Sequence, residues 1–179
     1  CSNSLIIASA NSFQLHIPWL AKCKIGKEYI VLFEMSFRML LAKSIPYVGL
    51  PHWSSTTFNL DFFFASRYIE GGGSDDDTFL TRIGNFIFSM IGNIFFSLKL
   101  SDILYTYLLG KTKSFKKLNL TSNDFCLCVE MPIKAKRNKM NFTDTPSYER
   151  ERIAGEKKVS EFKDGFKILS YMVKNFFNS

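Results

Sequence analysis

Leu60-Asp-Phe-Phe-Phe-Ala-Ser-Arg67-Tyr-Ile-Glu-Gly-Gly-Gly73 is the stretch on which the fold turns. Residues 60–66 form a short apolar run that predicts a buried strand. It passes into Arg67 and then three glycines, which bring backbone and a guanidinium close to a ligand or, equally, make a flexible hairpin. Ser74-Asp-Asp-Asp-Thr78 comes next. Three carboxylates offer oxygen ligands to a hard cation, but they also suit a helix N-terminus, where acids meet the positive end of the dipole. The helix-start reading is preferred.

Working outward, residues 78–98 predict a helix that is apolar nearly all round, except for small residues at Asn85, Ser89, Gly92 and Asn93 on one face. Such a helix is either wholly buried or lies against lipid with its narrow polar side toward protein or water. Arg82, in its first turns, stands apart from the apolar surface and is a candidate ligand contact. Further on, Gly110 reads as a turn, 125–129 as a strand, 131–139 as a helix with a basic face, and 141–146 as a strand or turn. Tyr148-Glu-Arg-Glu-Arg-Ile-Ala-Gly-Glu-Lys-Lys-Val159 then gathers Arg150, Arg152, Lys157 and Lys158 around Gly155. Guanidinium forks suit phosphate and the lysines add mobile charge. The bland alternative is a solvated charged loop. After it, Phe162, Phe166, Leu169, Val173 and Phe176 recur at helical spacing beside Lys163, Lys167 and Lys174. That pattern fits either a helix packed on a core or one lying in a membrane interface.

With 179 residues the chain is sized for one domain. Its 23 Lys and Arg against 16 Asp and Glu leave a net charge of +7. The excess lies late: residues 134–179 hold eleven basic and six acidic side chains. A basic surface asks for an acidic partner, but no aromatic and basic recognition motif accompanies the charge, so nucleic acid is not expected. Nineteen phenylalanines imply a Phe-rich core or faces that meet lipid. Cys1, Cys23, Cys126 and Cys128 lack zinc-site spacing and read as reduced thiols. His16 and His52 stand far apart without acidic neighbours, which argues against histidine-dependent chemistry. Two glycosylation sequons, at Asn119 and Asn141, carry no weight in a cytosolic reading. The sixteen uncharged residues 83–98 are short and polar for a spanning helix, which wants about 20 apolar residues. Residues 1–60 are hard to parse, although Ile30, Phe33, Phe37, Leu40 and Leu41 fit one helical face over 28–42. The chain starts at Cys1 without signal-peptide features and reads as a fragment.

Taken in order, Ala65-Ser-Arg-Tyr-Ile-Glu-Gly-Gly-Gly73, Arg82-Ile-Gly-Asn85, Leu100-Ser-Asp102, Leu118-Asn-Leu-Thr-Ser-Asn-Asp-Phe125, Glu130 and Arg152-Ile-Ala-Gly-Glu-Lys-Lys158 resemble the second half of family 2 glycosyltransferases of the dolichyl-phosphate or polyprenyl-phosphate mannosyltransferase type. The resemblance spans residues 61–179. It implies an α/β fold, part of the GT-A or nucleotide-diphospho-sugar transferase architecture, a Rossmann-like arrangement. It also implies an inverting hexosyltransferase that uses a nucleotide sugar, Mg or Mn, and a lipid phosphate acceptor. Such a protein is cytoplasmic and peripheral at the inner membrane face. Phosphate or substrate binding then falls on Arg67, Arg82, Arg152 and Lys158, with Gly155 between the last two.

Two departures stand out. Lys157 occupies the place where the family has Ser before the final Lys. Residues 1–60 contain no aspartate and so lack the family's Asp-x-Asp metal motif, and Asp75–Asp77 follow the glycines when that motif should precede them. Residues 1–60 are therefore an unassigned segment, no metal ligand is named, and the chain is expected to be inactive alone. The competing expectation is a non-catalytic, basic, peripheral membrane-binding module.

Overall fold

The computed structural model describes residues 20–25, 29–34, 47–48, 59–150 and 161–178. They form a mixed α/β structure. Its strands are β1 (Leu20–Ile25), β2 (Tyr29–Glu34), β3 (Tyr47–Val48), β4 (Phe62–Ser66), β5 (Gly73–Ser74), β6 (Leu108–Lys111) and β7 (Phe142–Glu149). The helices are α1 (Phe79–Phe96), α2 (Thr112–Leu118), α3 (Leu127–Arg137) and α4 (Glu161–Phe177). Sheet order is β1-β2-β6-β4-β7-β3. β4 and β7 run parallel, with Phe62 opposite Phe142 and Ser66 opposite Pro146, and β5 pairs with β7 in the same sense. The remaining pairs are antiparallel.

The opening stretch does form the central strand. All five residues of β4 are buried, as expected for a strand covered on both faces. Phe62 and Phe64 face a core built with Phe115 and Leu118 of α2, Leu127 and Met131 of α3, and Ile168 and Met172 of α4. Phe63 points the other way, toward Leu109, Leu60 and Tyr107. Gly110 lies within β6 and is not a turn: a Cβ there would fall 2.3 Å from the Phe62 ring, so glycine lets Phe62 and Phe115 close over the strand. Those two rings meet edge to face at 4.9 Å.

Two further expectations are corrected. Residues 29–34 are a strand and not the start of a helix. Tyr-Ile-Val-Leu-Phe favours a pleated surface, and pairing with β1 and β6 outweighs an apolar spacing that also fits a helix; residues 35–42 lie outside the described part. Residues 127–129 open α3 and are not a strand. Asp124 accepts from the Cys126 backbone at 3.0 Å, while Glu130 accepts from the backbones of Thr121 and Ser122 at 2.8 and 2.7 Å, so these side chains fix the turn that leads into the helix. The helix-start reading of 74–78 holds: Asp75–Asp77 lie directly ahead of α1, whose N-cap is Thr78 in a reciprocal pairing with Thr81, though no acid enters the first turn.

α1 is inside out. Its polar stripe faces the protein, and six hydrogen bonds from it hold the segment 100–104. Asn85 accepts from the Leu104 backbone at 3.0 Å and donates to the Ser101 carbonyl. Ser89 accepts from Ile103 at 3.1 Å. Asn93 both donates to and accepts from the Leu100 backbone at 2.9 Å. Gly92 gives Ile103 and Leu98 room to approach. Phe88, Ile91 and Phe96 of α1 pack against the core, while most of its apolar residues, among them Phe79, Phe86 and Ile94, are left exposed.

Candidate functional site

Parallel strands in α/β proteins present ligand sites at their carboxyl ends. Here β4 ends at Ser66 and β7 at Glu149, and a polar network joins the two ends. Arg67, the first residue after β4, is its hub. Its Nε and Nη2 donate to Asp102 Oδ2 and Oδ1 at 2.7 and 3.0 Å, and its backbone N–H donates to Oδ2 at 3.1 Å. Nη1 donates to Glu149 Oε2 at 3.0 Å, an oxygen that also accepts from Ser74 Oγ at 2.8 Å. Tyr68 and Tyr105 flank the guanidinium, their ring centroids 5.2 and 4.6 Å away.

The bend after β4 depends on its glycines. Gly71 has φ +83°, and a Cβ on Gly72 would lie 2.6 Å from the Ser66 carbonyl oxygen. The chain thus folds back on the strand end before resuming as β5 beside β7. Beneath the bend, Ser101 donates to Asp144 Oδ2 through its backbone and its hydroxyl, at 2.8 and 2.7 Å. With that hydroxyl proton committed, Ser66 Oγ is the donor in its 2.6 Å contact with Ser101 Oγ.

A second arm leads outward. Tyr68 donates its hydroxyl to Asp77 Oδ2, and Arg82 Nε lies 3.6 Å from the same oxygen. Arg82 is 64% exposed, whereas the Arg67 side chain is 11% exposed and that of Asp102 fully buried. Arg67 and Arg82 therefore belong to one network with unlike tasks. Arg67 ties strand ends together, with three of its five N–H groups occupied. Arg82 reaches solvent at the start of α1. Arg152, Gly155 and Lys158 lie outside the described residues, in the segment that follows the end of β7.

Electrostatics follow from burial. Desolvation works to lower the Arg67 pKa, but the Asp102 hydrogen bonds, with Asp102 and Glu149 charge, raise it above its ordinary value. Burial pushes the Asp102 carboxyl up, partly offset by Arg67. Burial likewise raises Tyr68, helped by its bond to Asp77, and Tyr105. Both phenols are then neutral near neutral pH, and Tyr68 donates its proton to Asp77. Cys126 is pushed up to about 12 by burial and its Asp124 neighbour, which leaves it a thiol.

The resemblance implies Mg or Mn. Among the described residues, no group of three His, Cys, Asp or Glu side chains is placed to hold a metal ion. The nearest carboxylates are already engaged: Asp102 by Arg67 and Asp144 Oδ2 by Ser101. The described residues do not fit a divalent cation.

The sequence reading named the two arginines but gave no role to Asp102, Glu149, Tyr68 or Tyr105. The available signal was an aspartate in Leu-Ser-Asp102 among apolar residues, since a carboxylate is rarely buried without a partner. Comparison with known proteins gives no match to a family model or to a curated protein.

Proposed function

We propose that residues 61–179 are the acceptor-side half of an inverting family 2 glycosyltransferase with a partial GT-A fold, transferring a sugar from a nucleotide sugar to a polyprenyl-phosphate-type lipid at the cytoplasmic membrane face. The observation that carries this reading is the union of Arg67 and Arg82 in one network at the carboxyl end of β4, beside the end of β7 that leads to Arg152 and Lys158. A lipid phosphate is already anionic near neutral pH, so its oxygen needs positioning more than deprotonation. It attacks the anomeric carbon as the bond to the nucleoside diphosphate breaks, which inverts the configuration. Arg82, Arg152 and Lys158 hold the acceptor phosphate, and Arg67 positions the strand ends through Asp102 and Glu149.

Donor binding and the metal belong to a donor half, and residues 61–179 alone are inactive in this reading. The test is sugar transfer to polyprenyl phosphate by the protein with its donor half, using a panel of nucleotide sugars with Mg or Mn. Failure to consume any of them counts against it. A second reading, a non-catalytic basic membrane-binding module, is favoured by the exposed apolar residues of α1 and α4. Liposome binding without transfer selects it.

A further inference from the structure

The amphipathic stripe read from α4 does not pack on the core. Ile168 and Met172 take that place, while Phe162, Phe166, Leu169, Val173 and Phe177 are exposed on the adjoining side of the helix. At 100° per residue, Lys163, Lys167 and Lys174 form a third strip beyond them. All three lysines are exposed. On α1 the inversion is stronger still: Phe79, Ile83, Phe86, Met90 and Ile94 are exposed, Phe79 by 80%. The two helices meet where Phe95 and Phe176 stack edge to face at 5.2 Å, both partly exposed, so the apolar surface continues across the seam.

We infer that α1 and α4 together form a surface that sinks into one leaflet of an anionic lipid bilayer, their axes lying along it. This deepens the membrane placement shared by both functional readings and does not depend on sugar transfer. Three observations select lipid over a second copy of the chain or another protein. Lysine is depleted from protein interfaces but favoured beside apolar residues in interfacial helices, and here a lysine strip borders the apolar one. α1 carries no acidic residue over its 18 residues, and its one charge, Arg82, sits at the N-terminal edge. Its mean hydropathy of 1.3 reaches that of spanning helices while only 17% of the helix is buried. Spanning is disfavoured by the polar stripe, whose six hydrogen bonds tie α1 lengthwise to residues 100–104. The helix lies in the interface, with Arg82 at headgroup level.

The test is co-sedimentation of the full chain with vesicles of phosphatidylcholine alone or mixed with phosphatidylglycerol, at low and high salt. Binding is expected with the anionic vesicles and weakened by salt. K163Q/K167Q/K174Q should lower partitioning by on the order of a hundredfold, about fivefold per lysine. F86S/F166S should abolish it, with an unchanged thermal unfolding midpoint because both positions are exposed. In F86W and F166W, indole emission should be quenched by lipids labelled near the headgroup end of their chains. The inference is overturned by absence of vesicle binding, by concentration-dependent dimers that F86S/F166S disperses in place of vesicle binding, or by anionic binding that survives F86S/F166S unchanged.

Discussion

Arg67 and Asp102 form a two-point ion pair, Nε to Oδ2 at 2.7 Å and Nη2 to Oδ1 at 3.0 Å, with the aspartate side chain fully buried. Removing one partner strands the other away from water, a cost of about 3 to 5 kcal/mol. Arg67→Met and Asp102→Leu should each destabilise by that order, and the double variant by clearly less than their sum. Arg67→Lys should rescue little, since an ammonium cannot reproduce the planar fork. Urea unfolding of the four proteins gives the coupling energy. Additive losses would show that the pair is not a unit.

Glu130 predicts an acid response. It is fully buried. Burial works to raise its pKa, but Lys134 at 2.6 Å and the bonds from Thr121 and Ser122 outweigh that and hold it below the ordinary value. Because the folded value is the lower one, the stabilisation is present above the unfolded glutamate pKa of about 4.3. It is lost as pH falls through the folded value. Wild type should therefore lose stability below about pH 4 more steeply than Glu130→Gln, which should already be weaker at pH 7 by about 2 to 3 kcal/mol. Urea midpoints against pH test this; parallel curves for the two proteins would refute it.

The inverted α1 reverses the usual effect of polar-to-apolar substitution. Asn85→Leu should cost about 1 to 3 kcal/mol, because the part-buried Leu104 N–H loses its acceptor and the Ser101 carbonyl keeps only its bond from Ser89. Phe86→Ser, by contrast, should change stability in solution by less than about 0.5 kcal/mol. Thermal melts of both variants without lipid decide the matter.

Arg82 is exposed and, among the described residues, pairs with Asp77 at 3.6 Å. Arg82→Ala should leave the unfolding midpoint within about 0.5 kcal/mol of wild type while raising the KM for lipid phosphate in the transfer assay. An equal loss of stability and activity would assign it a structural role instead.

Sequence reading found β4 and α1 because both carry strong local patterns: an apolar run ending in glycines, and a long apolar helix with one polar stripe. It placed Arg67 at the strand end but not in an ion pair, since Asp102 lies 35 residues away and only the fold brings them together. It misread 125–129 because five apolar residues fit either a strand or a buried helix, and Glu130 and Asp124 decide by holding the turn ahead of the helix. It left open whether the Phe162 stripe faced core or lipid. Spacing alone could not tell, because Ile168 and Met172 offer a second apolar face on the same helix.

The most direct measurement is the formation of a lipid-linked sugar by membranes holding the protein with its donor half, given polyprenyl phosphate, labelled nucleotide sugars and Mg or Mn. The account predicts transfer with inversion from one of those donors, and a loss of roughly a hundredfold or more in Arg152→Ala or Lys158→Ala. Consumption of no nucleotide sugar under any of these conditions, or undiminished transfer in both variants, would contradict it.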